Sequence, residues 1–260
     1  MKTPNSELRT PNSELRTPNS QPSKHTKNWT KLVVSCLLCF AFNFSAFSQN
    51  AALTFDGDDD FVEVHPMPGI GQFSPDAFSI EFIFEKGERQ NSIEVLFYQE
   101  NQNGFFEFGL KNGINPYVSF NSDLWVFEDC RIDPLSCTHL SLTYGNESFS
   151  LYLNGQLVQT QFASLSSQPI VENTPFFIGQ RYPENATSFS GRMEDMRIFR
   201  TSLSQAEISQ RLFQEVEVTA TGKYLHLPLH HYLPTYTRDP FNPGVHGFLG
   251  GFPSIVSNTP

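Results

Sequence analysis

The sequence predicts an all-β domain, two antiparallel sheets stacked as a sandwich or one sheet closed as a barrel, behind a leader that takes no part in it. Three features carry this reading: apolar and polar residues alternate with period two, tight-turn dipeptides separate the alternating runs, and 26 of 260 residues are phenylalanine. In residues 78–85, Phe78, Ile80, Phe82 and Phe84 share one face while Ser79, Glu81 and Glu85 share the other. A half-buried antiparallel strand has this pattern. Further short runs predict strands at Ala52–Phe55, Phe61–Val64, Ile93–Tyr98, Phe105–Leu110, Tyr117–Phe120, His139–Tyr144, Ser148–Leu153, Phe176–Gly179 and Met193–Phe199. Asn112-Gly113 and Asn154-Gly155 are hairpin signals, because both central residues of a type I′ turn need positive φ. Gly145-Asn146 marks a third tight turn. Roughly ten strands so spaced indicate a sandwich or barrel, and the phenylalanines suit a core thick enough to fill between two sheets. One helix is expected, about residues 205–213: Ser204-Gln205-Ala206-Glu207 is a capping box, with Leu203 and Ile208 placed as a hydrophobic staple.

Residues 1–31 contain a seven-residue repeat, TPNSELR, given twice and then begun a third time. It has no apolar face and cannot bury a core, so it reads as a disordered leader or as repetitive DNA translated from a start placed too far upstream. Lys24, Lys27 and Lys31 precede the apolar run of residues 32–48, which ends in Ala46-Phe47-Ser48. Charge, length and small residues at the cleavage site describe a secretory signal peptide cut before Gln49. The run is short for a membrane span and Asn43 interrupts it. A lipid-modified Cys is poorly placed, since Cys36 and Cys39 sit inside the run.

The leader holds six of the 17 Lys+Arg and two of the 27 Asp+Glu, so the remainder carries 11 basic and 25 acidic residues, a net charge of −14. That surface argues against nucleic acid or anionic membrane as a partner and permits divalent cations. In an exported chain the two remaining cysteines, Cys130 and Cys137, are expected to close a small disulfide loop.

Several blocks resemble one family. AALTFDGDDDFVEV (51–64), FSIEFIFEKG (78–87), THLSLTYGNESFSLYLNGQLV (138–158), PFFIGQR (175–181) and FSGRMEDMRIFRTSLSQAEISQ (189–210) are similar, in order, to the bacterial laminin G-like domains of concanavalin A-like type. The resemblance implies a two-sheet antiparallel jelly-roll sandwich over residues 49–215 with one short C-terminal helix. Residues 216–260 resemble a segment that begins a following unit, although the chain reaches Pro260 too soon for a second full domain. The sequence departs from the family where Cys137 stands in place of the Trp that commonly opens the central hairpin.

The loop Asp56-Gly57-Asp58-Asp59-Asp60 offers the hard oxygens Ca²⁺ wants, so Asp56, Asp58, Asp59 and Asp60 form a candidate metal set; the alternative is a solvated turn. Some relatives of this type bind Ca²⁺. Glu194 and Asp195 are adjacent, and neighbours on a strand face opposite ways unless a bulge intervenes, so they make a poor catalytic pair. Glu81 and Glu85 share a face but stand about 13 Å apart, which favours a solvated outer face. Arg192, Glu194 and Arg197 read as surface or edge ion pairs. His226, His230 and His231 lack the further ligands a zinc site needs and read as a loosely packed surface strand. Trp125, Phe127 and Tyr182 read as loop aromatics; Trp125 and Tyr182 are candidate ligand-binding platforms, with core burial as the alternative. No nucleophile elbow, Gly-rich phosphate loop or H-E-x-x-H motif is present. The resulting expectation is a secreted or cell-surface, non-catalytic binding or adhesion module for a glycan or extracellular protein, with Ca²⁺ as the one cofactor the loop suits. A jelly-roll glycoside hydrolase or lyase, and a structural spacer, are the alternatives.

Overall fold

The computed structural model describes residues 52–65, 76–101, 104–165, 174–181 and 187–212, and in the C-terminal part 223–229, 232–233, 236–238, 246–250 and 254–256. All lie within one compact unit, Gln49–Pro260. In chain order the elements are β1 (Ala52–Asp56), β2 (Phe61–His65), β3 (Ala77–Lys86), β4 (Ile93–Asn101), β5 (Gly104–Lys111), β6 (Asn115–Phe120), β7 (Asp123–Val126), β8 (Cys137–Gly145), β9 (Ser148–Leu153), β10 (Gln156–Phe162), β11 (Phe176–Ile178), β12 (Ser190–Phe199), α1 (Gln205–Gln210), β13 (Lys223–Pro228), β14 (Tyr232–Leu233), β15 (Tyr236–Arg238), β16 (His246–Gly250) and β17 (Ser254–Val256).

They build two antiparallel sheets. Sheet A runs β10-β9-β8-β3-β12-β1-β17, and β13 joins it against the second half of β12. Sheet B runs β14-β15-β16-β2-β11-β4-β5-β6-β7. With one short helix among the described residues, this is an all-β jelly-roll sandwich. No helix among those residues is long and apolar enough to cross a membrane.

The alternation in the sequence decides which side chains lie between the sheets. Phe78, Ile80, Phe82 and Phe84 of β3 enter the core with Leu140 and Leu142 of β8 and Leu151 of β9; Leu153 packs at its margin. Sheet B supplies Phe97, Phe106, Phe108, Val118 and Phe176. The rings meet edge-on, as with Phe78 and Phe106 at 5.6 Å and 88°. That geometry brings the positive edge of one ring to the negative face of the next. The expected turns form with positive φ at Asn112 and Gly113, at Asn146 and Glu147, and at Asn154 and Gly155.

Four differences from the expectation have physical causes. The helix stops at Gln210 and Leu212 falls in the turn beyond it. Its capping box and staple do form: Ser204 accepts from the Glu207 amide, and Leu203 and Ile208 pack with Tyr152 and Phe199. Trp125 lies on strand β7, not in a loop; as an edge strand of four residues, β7 is too short to show its period. Strand β10 is equally hidden, because QLVQTQF carries a bulge between Leu157 and Gln159 that breaks its alternation. Finally, the strands after residue 215 do not stand apart: β13 pairs with β12, β16 with β2 and β17 with β1, so they extend both sheets of the same sandwich.

Candidate functional site

Two regions gather chemistry. The first is the β1–β2 loop at one end of the sandwich. Asp60 is buried, and its Oδ2 accepts from the Asp56 amide at 2.8 Å. Asp56 Oδ1 accepts from the Asp58 amide at 2.7 Å, the side-chain-to-backbone turn aspartate favours. Carboxylate oxygens of Asp56, Asp59 and Asp60 lie within 4.8 Å of one another. Asp58 does not join them: it turns to the Arg89 guanidinium at 2.7 Å, which removes it from the expected metal set and lowers its pKa through that hydrogen bond. Burial pushes the Asp60 carboxyl up to about 6, with the charges of Asp56 and Asp59 adding to it. Asp60 Oδ1 is buried without a hydrogen-bond partner. A crowded, partly unsatisfied carboxylate set of this kind suits a hard cation.

The loop rests on a braced floor. Asn91 Nδ2 donates to the Gly57 and Ser188 carbonyls, and Ser188 Oγ donates to the Asp58 carbonyl. Beneath them Lys86 of β3 and Glu94 of β4 form an ion pair at 3.2 Å, both side chains fully buried, joining sheet A to sheet B. Glu94 also accepts from the Asn91 and Ser190 amides, and Lys86 donates to the Gly87 and Arg89 carbonyls.

The second region is the outer face of sheet B. Register places Phe61, Glu63 and His65 of β2, Phe177 of β11, Tyr98 and Glu100 of β4, Phe105 and Glu107 of β5, Tyr117 of β6 and Phe248 of β16 on this side. Glu107 is its centre. Arg181 donates to it twice, from Nε at 2.6 Å and Nη2 at 2.7 Å, and the Tyr117 hydroxyl donates as well. The guanidinium lies 5.9 Å from the Tyr98 ring centroid and 5.8 Å from that of Phe105. Tyr98 donates to Glu100 at 2.8 Å. Burial raises the Tyr98 and Tyr117 hydroxyls well above their usual range, so both remain donors. Two glycines let rings lie down on the sheet. A Cβ on Gly109 would stand 3.0 Å from the Tyr117 ring and would collide with the Glu94 carbonyl, and one on Gly250 would run into the Phe61 ring. Beside Phe61, Phe177 meets it edge-on at 5.9 Å.

Other expectations resolve differently. Cys130 and Cys137 are free thiols, so the expected disulfide is not formed. Cys130 sits in the core, where burial raises its thiol to about 11, whereas Cys137 is exposed opposite Glu85 at the start of β8. Glu81 is not solvated but 1% exposed, and His139 and Arg197 approach it at 3.8 and 3.7 Å. Arg197 is buried rather than on a surface, binding Asp195 at 2.6 Å and the Arg211 carbonyl at 3.0 Å. His226 is buried too, 2.9 Å from Asp195. The cause is shared: Phe199 and Tyr152 on the outer side of sheet A recruit α1, and the face beside it loses its solvent. Arg192 does lie in a half-exposed ion pair, its partner being Glu85 at 2.6 Å. A bulge between Met193 and Asp195 accommodates Glu194, while both Asp195 oxygens are taken by Arg197 and His226. Although burial alone would raise Asp195, the Arg197 guanidinium and the hydrogen bond with His226 hold it low. Trp125 packs on Phe149 at 5.2 Å and donates to the Phe162 carbonyl, so its indole is turned to packing; Phe127 is buried. Tyr182, His230 and His231 lie outside the described residues.

The sequence profile described as concanavalin A-like lectin/glucanases superfamily matches residues 56–209. The chain belongs to this superfamily. No curated protein sequence matches it. Among solved structures, it is similar to a candidate carbohydrate binding protein from Bacteroides ovatus, at 15% identity and a TM-score of 0.63 over 81% of this chain and 60% of that one. It is also similar to domain 4 of a GH43 extracellular arabinanase from Geobacillus stearothermophilus in complex with arabinotriose, at 16% identity and a TM-score of 0.48, over 62% and 76% of the two chains. A third is the heptameric SAP-like pentraxin from Limulus polyphemus, at 12% identity and a TM-score of 0.47, over 79% and 97%. This member of the superfamily thus spans 60% of the length of the Bacteroides ovatus protein.

Proposed function

We propose that this chain is an exported, non-catalytic glycan-binding module that acts outside the cytoplasm and takes its ligand across the outer face of sheet B. The observation that carries the reading is the row of half-buried rings there, Phe61, Phe177 and Phe105, beside the polar cluster of Glu107, Arg181, Tyr98 and Tyr117. Flat apolar rings beside fixed donors and acceptors suit a sugar, which offers C–H patches on its ring faces and hydroxyls at its rim. Asp56, Asp59 and Asp60 would hold a Ca²⁺ ion; its charge would offset their mutual repulsion and brace the β1–β2 loop.

The carboxylates support binding over turnover. Glu63 and Glu107 stand three strand spacings apart, about 14 Å, beyond the ~6.5–9.5 Å of an inverting glycosidase pair. Glu100, on the diagonal from Glu107, is at a workable separation of about 7–8 Å. Yet both Glu107 oxygens accept from Arg181, and Tyr117 adds another donor, leaving no oxygen poised to hold a transferable proton. The test is a glycan array probed with the full chain, with and without EDTA, beside an assay for reducing-sugar release. Retention on glycans without release is expected. Release abolished by both Glu100→Gln and Glu107→Gln would make the enzyme reading the better one.

A further inference from the structure

We infer that the outer face of sheet B selects neutral glycans and rejects acidic ones, because the guanidinium at its centre is already committed to a carboxylate. This rests on the glycan-binding reading above. The obvious anion receptor is Arg181, whose side chain is 29% exposed. Its fork is spent on Glu107, whose side chain is 1% exposed. A bidentate pair of this kind uses the two parallel donors by which a guanidinium would otherwise grip a sugar carboxylate or sulfate. The His65 imidazole, the next basic group, lies 2.9 Å from Glu63. Glu100 adds a further exposed carboxylate whose one described partner is the neutral Tyr98 hydroxyl. Across β2, β11, β4 and β5 the described side chains therefore present three carboxylates, Glu63, Glu100 and Glu107, against the guanidinium of Arg181. Lys111 shares the face but stands four residues along β5 from Glu107, about 13 Å away.

An acidic sugar laid on Phe61, Phe177 and Phe105 would meet uncompensated negative charge at Glu100 and, among the described side chains around those rings, a guanidinium already held by a carboxylate. A neutral sugar meets the same rings and hydrogen-bonding groups without that repulsion. Glu107 is thus a specificity-determining residue that works through Arg181: it holds the guanidinium against the Tyr98 and Phe105 rings and occupies the donors an anion would need.

Affinity gels containing neutral polysaccharides (galactan, arabinan, xylan, mixed-linkage β-glucan, galactomannan) and acidic ones (polygalacturonate, alginate, chondroitin sulfate) test this with the full chain. At least one neutral gel should retard the protein and no acidic gel should, with retardation unchanged as salt is raised from about 50 to about 500 mM, since no counterions are released. Glu107→Gln, which frees Arg181 of its charge partner, should gain affinity for at least one acidic polymer by about tenfold, the scale of one charge-assisted hydrogen bond. Ser204→Ala, which lies at α1 on the outer side of sheet A and leaves the pair intact, should keep the neutral preference. Acidic gels that retard the unmodified chain, or binding that collapses with salt, would overturn the selectivity while leaving glycan binding standing; those two measurements decide the matter even if Glu107→Gln fails to fold. Retardation by no gel would overturn both readings together.

Discussion

Replacing Lys86 by Met probes the floor beneath the β1–β2 loop. Methionine approximates the lysine stem and keeps its packing, but removes the cation 3.2 Å from Glu94. Glu94 is then left with two backbone donors, the Asn91 and Ser190 amides, and no countercharge in a fully buried setting. Breaking one side of a buried pair costs about 3–5 kcal/mol, mostly because the remaining charge stays desolvated. For a domain of this size that is a fall in Tm of roughly 6–20 °C. The sign of its pH dependence follows from Glu94, which burial already raises above the ordinary carboxylate range; loss of Lys86 raises it further. A carboxyl raised in the folded state binds more protons folded than unfolded, so its contribution to stability falls as pH rises through the interval between its two pKa values. The deficit of Lys86→Met should therefore shrink as pH falls from neutrality toward the ordinary carboxylate range. Adding Glu94→Gln removes the stranded charge and should recover about 2 kcal/mol, a coupling that a double-mutant cycle by urea denaturation reads directly. A deficit below about 1 kcal/mol, or a double variant as unstable as the two singles summed, would refute the claim that this pair bears on the joining of the sheets.

Asp60→Asn should raise Tm in EDTA near neutral pH, because Asp60 is pushed up to about 6 from 3.8 and its ionised form weakens the fold; the gain, at most about 3 kcal/mol, should vanish below about pH 4, as thermal melts across pH will show. Millimolar Ca²⁺ should raise the Tm of the unmodified chain and not that of Asp60→Asn, the concentration dependence giving the affinity by linkage. Ser204→Ala removes the side-chain acceptor for the Glu207 amide and should cost about 0.5–2 kcal/mol by chemical denaturation, with the loss centred on α1 in hydrogen exchange. Gly109→Ala should cost more, about 2 kcal/mol or above, because its Cβ meets the Glu94 carbonyl and the Tyr117 ring, and tyrosine fluorescence should report the displaced ring.

Much of the sandwich is legible in the sequence because a single physical rule writes it. Where one strand face is dry and the other wetter, as in β2, alternation names the core residues one by one. Legibility fails where both faces are covered. Glu81, Arg197 and His226 look like solvent-facing charges by period, but α1 packs on the outer side of sheet A, β13 brings His226 beside β12, and the charges pair in the dry space. It fails at edges too, where β7 and β10 are short or bulged. Of the candidate site, the acidic loop shows as a run of carboxylates, although only the fold reveals that Asp58 belongs to Arg89. The sheet B face carries a subtler signal: Phe105 and Glu107, like Phe61 and Glu63, put an aromatic on the face alternation assigns to water. An aromatic at polar parity is the mark to seek, yet the Glu107–Arg181 pair, 74 residues apart, appears only once β5 and the segment after β11 are brought together.

The most direct test of the account is chemical-shift mapping of the isotopically labelled chain titrated with an oligosaccharide of the neutral polysaccharide that retards it in the affinity gel. The account predicts perturbations concentrated on β2, β11, β4 and β5, centred on Phe61, Phe177, Phe105 and Arg181, and lost in a Phe61→Ala/Phe105→Ala variant that keeps its fold. Perturbations confined to the outer side of sheet A, or binding unchanged in that variant, would contradict it.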